Sequence, residues 1–351
     1  MTLVFSAKAP QPDRSQPRRT TKRPALVLGK TKRTILLLLA RHVFLRADQI
    51  CAIAFGRSLS FIRQHLRELR DAGWVVHQPY LRDSDIGKAP HIYTLDTPAW
   101  EWVRHLGVPT PIRFRPSEEI GKPSPHTMAI SDFGVALERF CRAHPLIHIA
   151  QYRHERVLPY ATVQFPTGTS RRVRPDAWVQ LAIDRPDGIK QRCYVLEVDR
   201  SSEYQRDFRE KVRALLFYRR EAYRELFGTE SIAFLFTVPT AHRRDLVHAY
   251  IEAEIADHEK LMGKKVRPDL FWITATDPRE VDTALFTAPV WVHPFGSGTV
   301  SLLDLNLPAS GGREDAFTAN FLGEHGMLRF YQSLGERPPG TALETDIGEI
   351  T

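Results

Sequence analysis

The apolar residues of the chain change rhythm near residue 126. Before that point they recur mostly three and four apart. "TILLLLARHVFL" reads as a first helix and "RADQICAIAFG" as a second, closed by Gly56. Ser58 is a good N-cap for a third, "LSFIRQHLRELRDAG", and Gly73 is placed to end it. In that helix Leu59, Ile62, Leu66 and Leu69 share one face and predict a buried stripe, while Arg63, Arg67 and Arg70 line another. "WVVHQ" and "HIYTL" read as two strands of a hairpin around a polar turn containing Asp85 and Gly87. Thr97 followed by Pro98 opens a further helix, "PAWEWVRHL".

From 126 onward helix and strand patterns mix. A helix "SDFGVALERFCRAH" precedes strands near "LIHIAQYR", "RPDAWVQLAI" and "QRCYVLEVD". A long helix is expected from Ser202 to Phe227, then the strand "SIAFLFTV", the helix "RRDLVHAYIEAEIADHEKL" and the strand "DLFWITA". This alternation implies a central sheet covered by helices. Between the two regimes, residues 107–125 carry five prolines and read as a linker. Beyond about 306 the chain is rich in Gly and Pro, and a loosely structured C-terminal segment is expected over 306–351.

Three helices followed by a hairpin, over 31–106, is the layout of a winged helix-turn-helix, which lays its third helix in the DNA major groove. Arg63, Gln64 and Arg67 are then the side chains nearest to bases, with Arg57, Arg70, Arg82 and Lys88 on phosphates. Charge strengthens that expectation. The net charge is +8, and residues 1–33 hold nine Lys or Arg against Asp13 alone, so the rest of the 351-residue chain is neutral. Residues 1–30 are expected to be a disordered basic arm that attracts phosphate without sequence preference. The expected partner is double-stranded DNA.

Other classes are disfavoured. No apolar run approaches the roughly 18 residues that a membrane span needs. The three cysteines, Cys51, Cys141 and Cys193, are odd in number and far apart, which argues against a disulfide framework or a cysteine zinc site and suits a cytoplasmic protein. No His-x-His pair occurs among the 14 histidines, so the chain is not expected to be a nicking relaxase itself. "LGKTK" lacks the first glycine of a phosphate-binding loop, and no GxSxG elbow is present.

The strand "CYVLEVD" ends on two carboxylates. Glu197 and Asp199 are two apart and share a face with Val195, whereas Tyr194, Leu196 and Val198 point the other way. Acids at the end of a core strand must be paired, protonated or bound to metal. Mg²⁺, which is commonly held by one or two carboxylates together with substrate phosphates, is the candidate cofactor. Asp176, opening the preceding strand, could add a ligand, and Glu138 on the first helix could complete the shell. Salt bridges that merely fix the strand–helix junction are the alternative, and Asp269, in a second strand-opening Pro-Asp, is the rival for Asp176.

The order Pro175-Asp176, then Glu197-Val198-Asp199, with a helix before and after, resembles the PD-(D/E)XK nuclease superfamily over about 126–275. Added to the winged helix-turn-helix, the resemblance implies a two-domain chain of the α/β (α+β) class, with a restriction-endonuclease-like mixed sheet flanked by helices over 126–305. It also implies catalytic roles for Asp176, Glu197, Asp199 and Lys211. Asp199 stands where that superfamily has lysine, and Lys211, on the following helix, is the substitute, with Arg200 another candidate.

A narrower resemblance covers about 34–240. The segments "HTMAISDFGVALERF", "RPDAWVQL", "LEVDRSSE" and "EKVRALLFY", in this order after a winged helix, are similar to the replication-relaxation family of plasmid and mobile-element proteins. That resemblance implies a DNA-associated role in replication, relaxation or mobilisation, with a relaxase or replication protein as a partner to consider. Two functions are expected from the whole: Mg²⁺-dependent phosphodiester hydrolysis, or a noncatalytic transcriptional regulator or assembly scaffold on the same fold.

Overall fold

The structure, a computed structural model, describes residues 26–53, 58–79, 90–108, 124–185, 187–201 and 204–303. Most of the basic arm, Gly56, Arg57, Arg82, Lys88, most of the proline-rich stretch and the segment from 304 lie outside the described residues.

The N-terminal part holds α1 (Lys30–His42), α2 (Ala47–Ile53) and α3 (Leu59–Asp71). The first of these is buried from Thr34 to His42, because an all-apolar run offers no face to solvent. In α3 the Ser58 hydroxyl accepts the Phe61 amide at 3.2 Å, satisfying one of the helix's unpaired donors. Ile62, Leu66 and Leu69 are buried and Leu59 is half-buried, while Arg63, Gln64, Arg67 and Arg70 are exposed. Gly73 follows at φ 75°, a conformation that favours glycine at a helix end. Strands β1 (Leu45–Arg46), β2 (Val75–Pro79) and β3 (His91–Leu95) form an antiparallel sheet in the order β1-β3-β2. Helix α4 (Thr97–His105) is capped by Asp96, whose Oδ1 accepts the Thr97 amide at 2.7 Å.

Helix α5 (Pro125–Ala143) begins earlier than the sequence pattern predicts. Ser124 caps it and Pro125 occupies its first turn, so the stretch expected as a linker ends inside a helix. The extra turn has a packing reason: Met128 is buried in the N-terminal core, and Ser131 Oγ donates to Phe44 O at 2.8 Å.

A five-stranded mixed sheet follows, in the order β10-β9-β8-β7-β4. Its strands are β4 (Ile147–His154), β7 (Ala177–Arg185), β8 (Gly188–Val198), β9 (Ala233–Thr237) and β10 (Phe271–Thr274). Strand β7 is antiparallel to both of its neighbours, β4 and β8; β8, β9 and β10 are parallel. Helix α6 (Gln205–Glu221) crosses from β8 to β9, and α8 (Ala241–Met262) from β9 to β10, as parallel neighbours require. The helix expected to run unbroken to Phe227 is interrupted at Ala222 (φ −121°) and resumes as α7 (Tyr223–Phe227). The break lets the Tyr223 hydroxyl accept from Trp178 Nε1 (3.0 Å) and donate to Ser231 O (2.7 Å).

Alternation along β8 divides the core. Cys193 and Val195 pack with Phe208, Val212 and Leu215 of α6 and with Val247 and Ile251 of α8. Tyr194, Leu196 and Val198 pack on the other face with Phe133, Leu137 and Phe140 of α5. Strands β5 (Ala161–Gln164) and β6 (Ser170–Val173) form a separate antiparallel hairpin that the sequence pattern did not announce. Among the described residues no helix is long and apolar enough to cross a membrane.

Candidate metal centre

Antiparallel pairing puts the start of β7 beside the end of β8, with Ala177 opposite Leu196. Asp176, one residue earlier, therefore meets the end of β8. Its amide donates to Leu196 O at 3.2 Å, and its carboxylate Oδ2 accepts the Val198 amide at 2.7 Å. The carbonyl of Asp176 in turn accepts the Glu155 amide at 2.8 Å, which brings in the residue just after β4. From the other side His126, in the first turn of α5, places Nε2 3.0 Å from Asp176 Oδ1. The ligand atoms of His126, Glu155 and Asp176 all lie within 4.8 Å of one another. Among the described residues no other group of three or more such side chains converges in this way.

The hydrogen bond to Asp176 raises the His126 pKa above its ordinary value, against burial and the Lys211 charge. Two arginines approach the cluster: Glu155 has Arg174 at 3.5 Å and Arg156 at 3.7 Å. Close by, the Lys211 ammonium of α6 meets Glu197 Oε2 at 2.8 Å. Glu197 immediately precedes Val198, whose amide Asp176 accepts, so the Glu197–Lys211 pair borders the cluster. Behind it His154 is fully buried. Its Nδ1 accepts the Arg156 amide at 3.2 Å, its Nε2 has no hydrogen-bond partner among the described residues, and burial drives its pKa well below the ordinary value.

Two acids expected as metal ligands have guanidinium partners. Asp199 accepts from Arg243 Nε and Nη2 and from the Ser201 amide. Glu138 accepts from Arg41 Nη1, with His42 Nε2 3.4 Å from the same oxygen. Burial alone would raise the Glu138 pKa; the Arg41 charge and the His42 contact outweigh it and hold the carboxyl at about 2. Of the residues expected as metal ligands, Asp176 lies with His126 and Glu155, Glu197 pairs with Lys211, and Asp199 and Glu138 pair with Arg243 and Arg41. The rival Asp269 is exposed, 3.6 Å from Arg267, and belongs to no such group. Histidine at a helix start and glutamate after a strand carry no spacing signature, because neither is a sequence neighbour of Asp176.

On the N-terminal part, Arg63, Gln64, Arg67 and Arg70 extend along one exposed side of α3. Gln64 donates to Glu68 at 3.1 Å, and Arg70 pairs with Asp71 at 2.7 Å. The charges of Arg63, Arg70 and Arg67 all reach Tyr93 of β3, whose pKa burial raises against them. Tyr93 stacks on His77 with ring centroids 5.7 Å apart.

A family model described as Replication-relaxation matches residues 36–230, more than half of the chain. No curated protein and no solved structure matches.

Proposed function

The chain belongs to the replication-relaxation family, and from that premise we propose that it binds duplex DNA and hydrolyses phosphodiester bonds during replication or relaxation of plasmid or mobile DNA. In this reading the N-terminal part is a winged helix-turn-helix with α3 as its recognition helix. Arg63, Gln64 and Arg67 face the bases and Arg70 the backbone. With the β5–β6 hairpin set aside, the α/β part runs helix, three strands, helix, strand, an order that supports the resemblance to the PD-(D/E)XK superfamily.

The convergence of His126, Glu155 and Asp176 beside the Glu197–Lys211 pair carries the proposal. Two carboxylates and one imidazole fit a divalent cation: the oxygens suit Mg²⁺, and the nitrogen extends the fit to first-row transition ions such as Mn²⁺. When bound, such an ion supplies Lewis-acid stabilisation and a more acidic water. The chain's own residues position the reaction. The Val198 amide fixes one oxygen of Asp176, and Glu197 holds the Lys211 ammonium, ready to offset charge that develops on phosphorus.

A second reading is a noncatalytic regulator or assembly scaffold, and the Asp199–Arg243 pair favours it. Asp199 stands where the nuclease pattern has its lysine, and here it serves a buried ion pair. Incubation of supercoiled plasmid with the full chain and Mg²⁺ or Mn²⁺ separates the two. Nicking that is lost in Glu197→Ala supports hydrolysis. Intact plasmid with every divalent ion, under conditions where DNA is bound, supports the scaffold.

A further inference from the structure

The β5–β6 hairpin projects beside the cluster, and its two faces differ. Ala161, Val163 and Val173 point inward into the core shared with α6, and Arg171, in register with Val163, reaches Glu210 of α6 at 3.0 Å. The other face carries Thr162 opposite Arg172. Extending that register by one residue sets Tyr160 opposite Arg174 and diagonal to Arg172. Side chains in those relations on one face of an antiparallel pair are within reach of each other. The Arg172 and Arg174 guanidiniums lie 4.1 and 4.4 Å from the Tyr160 ring centroid. Tyr160 is 50% exposed and Arg172 is exposed.

We infer that Tyr160, Arg172 and Arg174 form a platform for the phosphodiester backbone of DNA and guide it to the His126–Glu155–Asp176 cluster. This rests on the reading that the chain acts on DNA and adds the path that the strand takes. Two like charges held against one exposed ring repel each other until an anion lies between them. Guanidinium forks match phosphate oxygens, and stacking on tyrosine restricts the rotamers that binding would otherwise have to freeze. Placement supplies the direction: Arg174 is two residues before Asp176 and lies 3.5 Å from Glu155, while among the described residues Arg172 has no carboxylate partner. A phosphate on Arg172 and Arg174 would therefore sit next to the cluster.

The test measures affinity of the full chain for a fluorescent duplex across a salt series, comparing wild type with Arg172→Ala, Arg172→Lys and Tyr160→Ala. Each phosphate contact contributes about one to the slope of log affinity against log salt. Arg172→Ala is expected to lower the slope by about one and weaken binding roughly threefold at moderate salt. Arg172→Lys should keep the slope but lose part of the affinity, and Tyr160→Ala should fall between the two. Circular dichroism should show all variants folded, since the altered side chains are exposed. Wild-type affinity and slope in Arg172→Ala overturn the platform while leaving the recognition helix standing. A wild-type chain that binds no DNA overturns both.

Discussion

The contact of α5 with α1, β1 and α2 and the meeting point of β7 with β8 both bury carboxylates, and they balance them differently. At the first, Glu138 has the Arg41 guanidinium and His42, and Asp132 accepts from Arg46 and Gln49. Gly134 is needed there, because a Cβ on it would lie 2.7 Å from His42 Nδ1. Acid and base are matched within the fold, so the contact is complete without any other molecule. At the second, Asp176 faces an imidazole and a further carboxylate, with arginines no nearer Glu155 than 3.5 Å. Negative charge there is met by an imidazole, an ammonium and more distant guanidiniums rather than by a hydrogen-bonded guanidinium. A buried acid paired to its own guanidinium holds elements together, whereas acids beside a histidine present a set of ligand atoms of the kind that suits a divalent cation.

The largest effect should come from breaking the matched network. Arg41→Ala leaves Glu138 buried without its cation and should cost about 3–5 kcal/mol in denaturant unfolding. Asp176→Asn keeps an oxygen for the Val198 amide and removes charge beside Glu155. It should cost less than Arg41→Ala does, because the Asn oxygen still accepts the Val198 amide and no buried charge is left without a partner of opposite sign. Equal losses in the two variants would erase the distinction. The acid limb sharpens it. Glu138 titrates at about 2 in the fold against an ordinary 4.5. Its folded pKa is depressed, so its stabilisation is complete above 4.5 and is lost as pH falls from there toward 2. Unfolding curves of wild type and Arg41→Ala should therefore converge across that window.

A smaller effect concerns α3. Arg63→Ala with Arg67→Ala should weaken duplex binding by about 1–3 kcal/mol per lost base contact and relax sequence preference while the salt slope stays near that of wild type, with stability unchanged because both side chains are exposed. Unaltered binding would remove α3 as the reader.

How much of this could be read from the chain varies with distance along it. The α3 helix was legible because Ser58, the Ile62–Leu66–Leu69 stripe and Gly73 are local signals. Alternation alone put Glu197 on the face of Val195, and helical spacing brought Lys211 over the strand end. The partners that decide each acid's role were not legible. Arg243 is 44 residues from Asp199, and Arg41 is 97 from Glu138. His126 was hidden for another reason: the prolines up to Pro125 read as a linker, whereas Ser124 and Pro125 start the helix. The β5–β6 hairpin was missed because strands of four residues carry too few alternations to stand out.

The most direct test is calorimetric titration of Mn²⁺ into the full chain and into Asp176→Asn. Saturable binding of one ion by wild type, abolished in Asp176→Asn and retained in Asp199→Asn, is the result expected of a centre built on His126, Glu155 and Asp176. Binding that survives in Asp176→Asn, or a wild-type chain that takes up no ion, would contradict it.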